Sequence, residues 1–442
     1  MKKKNDLVSI IYSNPIKTII VAGLIIRLLI IALYQHIAIY PDSGGYIDLA
    51  HRILSCDLNG YQGERSPGYP LLLCLANGSL MISVIIQMII GIVTLIFTYK
   101  TLLIVNVRKR ISLIVTLLIA CYAPNIFFEF AILTESLTQL VLTFTFYTFF
   151  GITMQKRTGI LSYLLLSFLC GYLTLIKPFY ILLAGILFVF LILHSHKIKD
   201  IVYKYLVVLI FPLCIGFGWS YVNLLNTGYF VPTTYYGYNI TQNCVRFAEK
   251  TTDEYKDIGE IYAKYREKNK AEGVSISMSI WAAYDELEAE TKLSFVDLSK
   301  RLYDYSTATI AKNPGEYLQQ VFISWCDFWK TSMYWEYDSF KVTSVKEAML
   351  YFNTAERILF QLIKIIFVLL IPYNLIHYLR RRKYPPQFVI SVVVLAASLA
   401  QAFATYGTNS RFSFPFELLI VTSVVLNYLS YMRYRRRQKQ KS

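Results

Sequence analysis

Long apolar runs recur along most of this chain, with short polar or charged segments between them. About ten approach the roughly 20 residues that a helix needs to cross a bilayer. The four runs between 111 and 195 are short and closely spaced, so their boundaries are the least distinct. The pattern predicts an all-α polytopic membrane protein of about ten transmembrane helices, at 16–38, 80–104, 111–127, 136–153, 159–176, 178–195, 201–225, 355–379, 386–405 and 413–432.

The spacing of these runs divides the chain into three parts. Residues 1–225 form an N-terminal transmembrane bundle, interrupted early by a first outward loop at 39–79. Residues 226–353 form a large outward loop, whose mixed-charge stretches are typical of solvent-facing helices. Residues 354–442 add the C-terminal transmembrane helices and a basic tail.

Composition and charge support the membrane prediction and orient it. Only 16% of the residues are charged, the mean hydropathy is +0.45, and the formal net charge is +16. With the N-terminus inside, the cytoplasmic segments hold 21 of the 44 Lys and Arg residues but two of the 28 acids, which is the positive-inside pattern. Both termini are therefore predicted to be cytoplasmic. Because the basic excess reflects topology, a nucleic-acid partner is not expected.

Asp42 is the first candidate for chemistry. The string YPDSGGYIDLA, residues 40–50, places this carboxylate directly after the first apolar run. An acid at the end of a membrane helix is costly to keep there and is a functional candidate by default. The structural alternative is that Asp42 caps a helix that begins at Ser43 or Gly44.

Other charged residues gather at the same predicted outer face: Arg65, Glu129, Glu135, Lys177 and Arg411. Arg and Lys bind phosphate, and a nearby carboxylate can accept a proton from a hydroxyl or hold a divalent metal. A lipid phosphate would present its anionic group at this depth. The structural alternatives are that Glu135 caps the fourth span or pairs with Lys177, and that the two arginines are interfacial anchors. Arg27, in the middle of the first span, is expected to form an internal structural pair.

Five short strings give the chain a family resemblance: PDSGGYIDLA, RSPGYPLLL, AILTESL, LIKPF and SRFSFPFELL. In their order and spacing they resemble the GT-C superfamily of polyprenyl-phosphate-sugar-dependent glycosyltransferases, in kind the protein O-mannosyltransferases and lipid A aminoarabinose transferases. The resemblance covers most of 16–225 and 355–432. It implies a GT-C-like bundle in a bacterial plasma membrane, with short helices of the first outward loop lying along the outer membrane surface and the active site on the extracytoplasmic side.

The resemblance also implies roles for the candidate residues. Asp42 matches the acidic residue of the first outward loop that takes part in catalysis, as a general base or as a group that orients the acceptor. Glu135 is the better match for the second acidic residue, with Glu129 as the alternative. Arg65, Lys177 and Arg411 would neutralise the leaving phosphate, and Tyr46 would join them in binding the substrate. The reaction would transfer a sugar, with inversion, from a polyprenyl-phosphate carrier to a lipid, glycan or protein acceptor.

Two questions stay open at this point. The first loop lacks the paired acids of the family's metal-bound variants, so a divalent metal is undecided, while no nucleotide cofactor is expected. Other functions also remain: an envelope enzyme similar to the O-antigen polymerases, or a flippase or transporter of lipid-linked sugars. A transporter predicts charges along the middle of the bundle, for which Arg27 is the best support.

Overall fold

The computed structural model describes residues 12–155, 157–194, 198–332, 335–407 and 409–440. Of these residues, 80% are helical. The described residues contain no β-strand, only isolated bridges that join Tyr34 to Phe340 and Ala38 to Ala131. The all-α prediction is therefore confirmed, whereas the basic residues Lys2–Lys4, predicted to be cytoplasmic, lie outside the described residues.

Seven helices in the described residues are long and apolar enough to cross a membrane, or eight if a bent pair counts as one span. The bent pair is Lys109–Ala120 with Ala123–Phe130, and two shorter apolar helices are Ile160–Ile176 and Pro178–His194. These helices suit a multi-pass membrane protein. The seven are Pro15–Leu33, Leu80–Ile104, Glu135–Gln155, Ile201–Thr227, Thr343–Arg381, Pro386–Ala404 and Asn409–Lys439.

The structure departs from the predicted boundaries at several helices, and the last of them spans Asn409–Lys439 rather than 413–432. The first helix ends at Leu33 rather than at 38, because Tyr34 and Ala38 enter the isolated bridges. The run 111–127 is bent by 52°, where Pro124 at the start of the second helix cannot continue the first. The helix Thr343–Arg381 begins inside the predicted large loop, well before the predicted start at residue 355.

Most of the large loop folds into a helical unit with its own aromatic core. Tyr238, Phe247, Tyr262 and Tyr305 are among its fully buried side chains. The unit contacts the bundle at the end of the helix Pro386–Ala404. There Asn243 Nδ2 donates a hydrogen bond to the backbone oxygen of Ala402 at 3.0 Å. Its α-helices, together with the helix that leads back to the bundle, are Tyr236–Gln242, Lys256–Ala271, Ser279–Ala282, Tyr284–Thr291, Phe295–Lys312 and Pro314–Phe328.

A buried ion pair joins Arg27 in the first helix to Glu129. Arg27 Nε donates to Glu129 Oε2 at 2.8 Å, and both side chains are almost fully buried. The expected structural pair of Arg27 is therefore present. Gly91, on the neighbouring helix, makes room for it: a Cβ at this position would lie 2.5 Å from Arg27 Nη2 and closer still to the Glu129 carboxylate.

Replacing Gly91 by Ala is expected to destabilise the protein by about 1–3 kcal/mol, because the added methyl group overpacks a buried charged contact. This exceeds the roughly 1 kcal/mol that Ala gains over Gly in a helix interior. Gly185→Ala is the matched control, since a Cβ there meets no atom within 4 Å. Thermal unfolding in detergent measures both. Equal melting temperatures for the two variants would contradict the argument.

Candidate functional site

Hydrogen bonds bring the beginning of the Asp42 helix to the turn that precedes Glu135. Ile132 N donates to the backbone oxygen of Ala38 at 3.1 Å, and Ser43 Oγ donates to the backbone oxygen of Ile132 at 2.8 Å. Two segments that are about ninety residues apart in the chain are thereby held side by side. Their two carboxylates therefore lie in the same region of the molecule.

A close backbone contact brings the Arg65 segment to Lys177. Gly68 N donates to the backbone oxygen of Leu175 at 2.9 Å. A Cβ at Gly68 would lie 2.5 Å from the backbone nitrogen of Ile176, so only glycine permits this approach. The strings RSPGYP and LIKPF, far apart in sequence, are thus in direct contact.

The short helix Asn409–Ser413 positions Arg411. Asn409 is buried, and its Nδ2 donates to the backbone oxygen of Ser324 at 2.9 Å. Its Oδ1 accepts from Gly407 N at 3.2 Å. These bonds fix the turn before the last span and direct Arg411 toward Asp42.

Five charged side chains meet where these segments converge, and we call them the charged cluster: Asp42, Arg65, Glu135, Lys177 and Arg411. Asp42 accepts from Arg65 Nη2 at 2.9 Å on one oxygen and from Arg411 Nη2 at 2.5 Å on the other. Glu135 Oε1 accepts from Lys177 Nζ at 3.1 Å and lies 3.0 Å from Arg411 Nε. Arg411 therefore links the two carboxylates.

The side chains of the charged cluster differ in their exposure to solvent, from fully buried to partly accessible. The Glu135 side chain is 0% exposed, whereas that of Asp42 is 30% exposed. Glu135 is also the first residue of its helix, where the helix dipole favours a negative charge. With three cations and two carboxylates, the charged cluster has an excess of one positive charge. Its accessible side is therefore suited to an anion.

The electrostatics of Asp42 and Tyr46 follow from these contacts. Burial alone would raise the pKa of Asp42, but the Arg411 and Arg65 guanidinium groups outweigh burial and hold that pKa well below its usual range. Burial raises the pKa of Tyr46 to about 12, so its phenol stays neutral. The Tyr46 ring faces the guanidinium carbon of Arg65 at 4.8 Å from the ring centroid.

The structure thus gathers six of the seven residues that the sequence suggested. Glu129 is the exception: it pairs with Arg27 inside the bundle, away from the charged cluster. The alternative that Asp42 caps a helix beginning at Ser43 or Gly44 is wrong, because the helix begins at Pro41 and Asp42 is its second residue. The alternative pairing of Glu135 with Lys177 is present and is part of the charged cluster. The catalytic and binding roles themselves stay predictions.

Sequence reasoning missed two aromatic residues at this site. Tyr235, from the helical unit of the large loop, faces Arg65 at 4.7 Å, and Phe412 faces Lys177 at 4.9 Å. Phe412 adjoins Arg411 within one of the quoted strings, so its position was available as a signal. Nothing in the sequence near Tyr235 links it to Arg65.

The charged cluster is poorly suited to a metal ion as it stands. Each oxygen of Asp42 already accepts from an arginine. Within the described ranges, no group of three or more His, Cys, Asp or Glu side chains is placed to hold a metal ion.

Comparison with known proteins does not place the chain in a family: no family model matches it, and no curated protein is significantly similar.

Proposed function

We propose that the chain is a membrane glycosyltransferase of the GT-C type, which moves a sugar from a polyprenyl-phosphate carrier to an acceptor at the extracytoplasmic face. The acceptor would be a lipid, a glycan or a protein. One observation carries the proposal. Two carboxylates and three cations from widely separated segments converge in a partly accessible charged cluster with an excess of positive charge.

The cations supply the binding of the donor phosphate. Arg65 and Arg411 each present a guanidinium group, which holds phosphate oxygens through paired hydrogen bonds. Both already share one carboxylate, Asp42, so an entering phosphate competes for the same donors.

Asp42 then acts on the acceptor. The acceptor oxygen attacks the anomeric carbon and loses its proton to the Asp42 carboxylate, while the bond from that carbon to the phosphate oxygen breaks and its electrons leave with the phosphate. A single displacement inverts the anomeric configuration. The three cations stabilise the charge that develops on the phosphate, which is usually the largest contribution to catalysis.

The contacts of Asp42 define a resting and an active arrangement. Paired with two arginines, the carboxylate is a weak base, because its pKa is held well below the usual range. A phosphate that takes over the guanidinium donors would release Asp42 and raise its basicity. Donor binding would therefore activate the base, and Glu135 would keep Lys177 and Arg411 in place.

The flippase alternative loses its best support, since Arg27 is neutralised by Glu129 rather than facing a path through the bundle. No specific contact favours an O-antigen-polymerase-like enzyme over glycosyl transfer from a monophosphate carrier.

The test is a transfer assay with purified protein in nanodiscs, a set of polyprenyl-phosphate sugars and a membrane extract as the source of acceptor. We expect free polyprenyl phosphate to be released in equal amount to the sugar that appears on the acceptor. Sugar-free polyprenyl phosphate should inhibit competitively, because it meets the same cations. Transfer from a pyrophosphate-linked oligosaccharide alone would instead favour a polymerase. Sugar-lipid movement across the bilayer without bond cleavage would favour a flippase.

A further inference from the structure

The guanidinium group of Arg65 contacts the faces of two aromatic rings. Tyr46 faces it at 4.8 Å from one part of the chain, and Tyr235 faces it at 4.7 Å from another. A Cβ at Gly45 would lie 2.9 Å from Arg65 Nε, so the backbone beside Tyr46 also confines the side chain. The orientation of Arg65 toward Asp42 is therefore set by its surroundings on several sides.

A short backbone segment, residues 233–234, fixes Tyr235 in this position, and we call it the strap. Thr234 N donates to the backbone oxygen of Gly63 at 3.0 Å, and Thr233 Oγ1 donates to the backbone oxygen of Glu64 at 2.9 Å. Gly63 has a positive φ of 76°, and a Cβ there would lie 2.8 Å from the Thr234 methyl group. The strap is thus built against the two residues that immediately precede Arg65.

The remaining edges of the Tyr235 ring contact the core of the helical unit. Its ring centroid is 5.3 Å from that of Trp281 and 5.8 Å from that of Phe295. Both partners pack against the separate aromatic core of the unit. Tyr235 is therefore the aromatic side chain through which this core contacts a member of the charged cluster.

We infer that Tyr235 is a positioning residue, which holds Arg65 in the orientation that the donor phosphate requires and so makes the helical unit part of the functional site. A cation over a partly desolvated aromatic ring is attracted by the negative face of the ring, which favours one orientation of the side chain over others. This inference rests on the proposed function for its kinetic consequence. Its structural consequence, a coupling between Tyr235 and Arg65, is independent of that function.

The kinetic test compares three variants in the transfer assay. Tyr235→Leu removes the ring and should lower kcat/KM for the polyprenyl-phosphate sugar about tenfold, most of it in KM, whereas Tyr235→Phe keeps the ring and should stay within about twofold. Tyr236→Leu is the matched control, because Tyr236 is the next residue and contacts Tyr303 at 5.4 Å instead of Arg65. Equal losses in Tyr235→Leu and Tyr236→Leu would overturn the inference.

A double-mutant cycle tests the coupling without any assumption about activity. The melting temperature is measured for wild type, Tyr235→Leu, Arg65→Gln and the double variant. We expect the decrease caused by Tyr235→Leu to shrink by roughly half when Arg65 is already Gln, because residues in contact are not additive. Strict additivity would overturn the inference. If the wild type transfers no sugar, the proposed function fails while this cycle still decides whether Tyr235 holds Arg65.

Discussion

Replacing Asp42 by Asn is expected to lower the rate of sugar transfer by about 100- to 10,000-fold, the range that a positioned proton acceptor contributes. The amide cannot accept the proton of the acceptor hydroxyl. It also fails to balance the two guanidinium groups that contact Asp42 at 2.9 and 2.5 Å. Because Asp42 is the most accessible carboxylate of the charged cluster, the loss should appear in kcat while the protein still folds.

Asp48→Asn is the matched control for this prediction. Asp48 lies on the same helix and also pairs with an arginine, Arg52, at 2.6 Å, but this pair is exposed and separate from the charged cluster. Its replacement should leave transfer within about twofold, because exposed ion pairs contribute little. Normal transfer by Asp42→Asn would remove this residue from catalysis.

The pH profile gives a second measurement of the same residue. Since the two guanidinium groups lower the pKa of Asp42, the carboxylate in the free protein stays ionised down to more acidic pH than an ordinary aspartate. Any stability that this pairing provides is present above the unfolded-state pKa and is lost as the pH falls through the lower folded-state pKa. In Arg411→Gln one of the two cations is gone, so the acid limb of kcat/KM should move to higher pH.

Much of the fold could be predicted from the local sequence, because membrane spans are recognised by the length of their apolar runs. The helix Leu80–Ile104 has the predicted bounds, and Pro386–Ala404 ends one residue before the predicted limit. The differences arise where a tertiary contact overrides hydropathy. The run 16–38 is predicted to stay helical past Leu33, although Gln35 and His36 interrupt its apolar character. Residues 34–38 leave the helix because Ala38 bonds to the backbone of Phe130 and Ile132.

The candidate site was predictable to the extent that unusual charges next to apolar runs are costly and therefore few. Asp42, Glu135 and Arg411 stand out in the sequence for this reason, but so does Glu129, because both glutamates flank one turn. Their separation depends on helix packing: Glu129 is directed toward Arg27 and the space left by Gly91. Tyr235 could not be found, since its contact with Arg65 arises from the fold of a separate helical unit.

Replacing Glu135 by Gln is expected to destabilise the protein by about 3–5 kcal/mol, the usual cost of removing one partner from a buried ion pair. Its side chain is 0% exposed, and its carboxylate is the only one that contacts Lys177 among the described ion pairs. The excess charge of the charged cluster would rise by one unit in a place with little water. A large decrease in melting temperature should accompany the loss of transfer.

The double variant Glu135→Gln with Lys177→Gln separates charge balance from packing. It restores the original excess of one positive charge, because one anion and one cation are removed together, so it should recover more than half of the lost stability, about 2 kcal/mol or more. Transfer should not recover, because the double variant lacks Lys177, which is proposed to bind the phosphate.

Glu336→Gln is the control: its pair with His36 at 2.9 Å is half exposed, and its loss should cost less than about 1 kcal/mol. A single variant as stable as wild type would mean that Glu135 does not balance the buried cations. A double variant less stable than the single would mean that packing, rather than charge, holds these helices together.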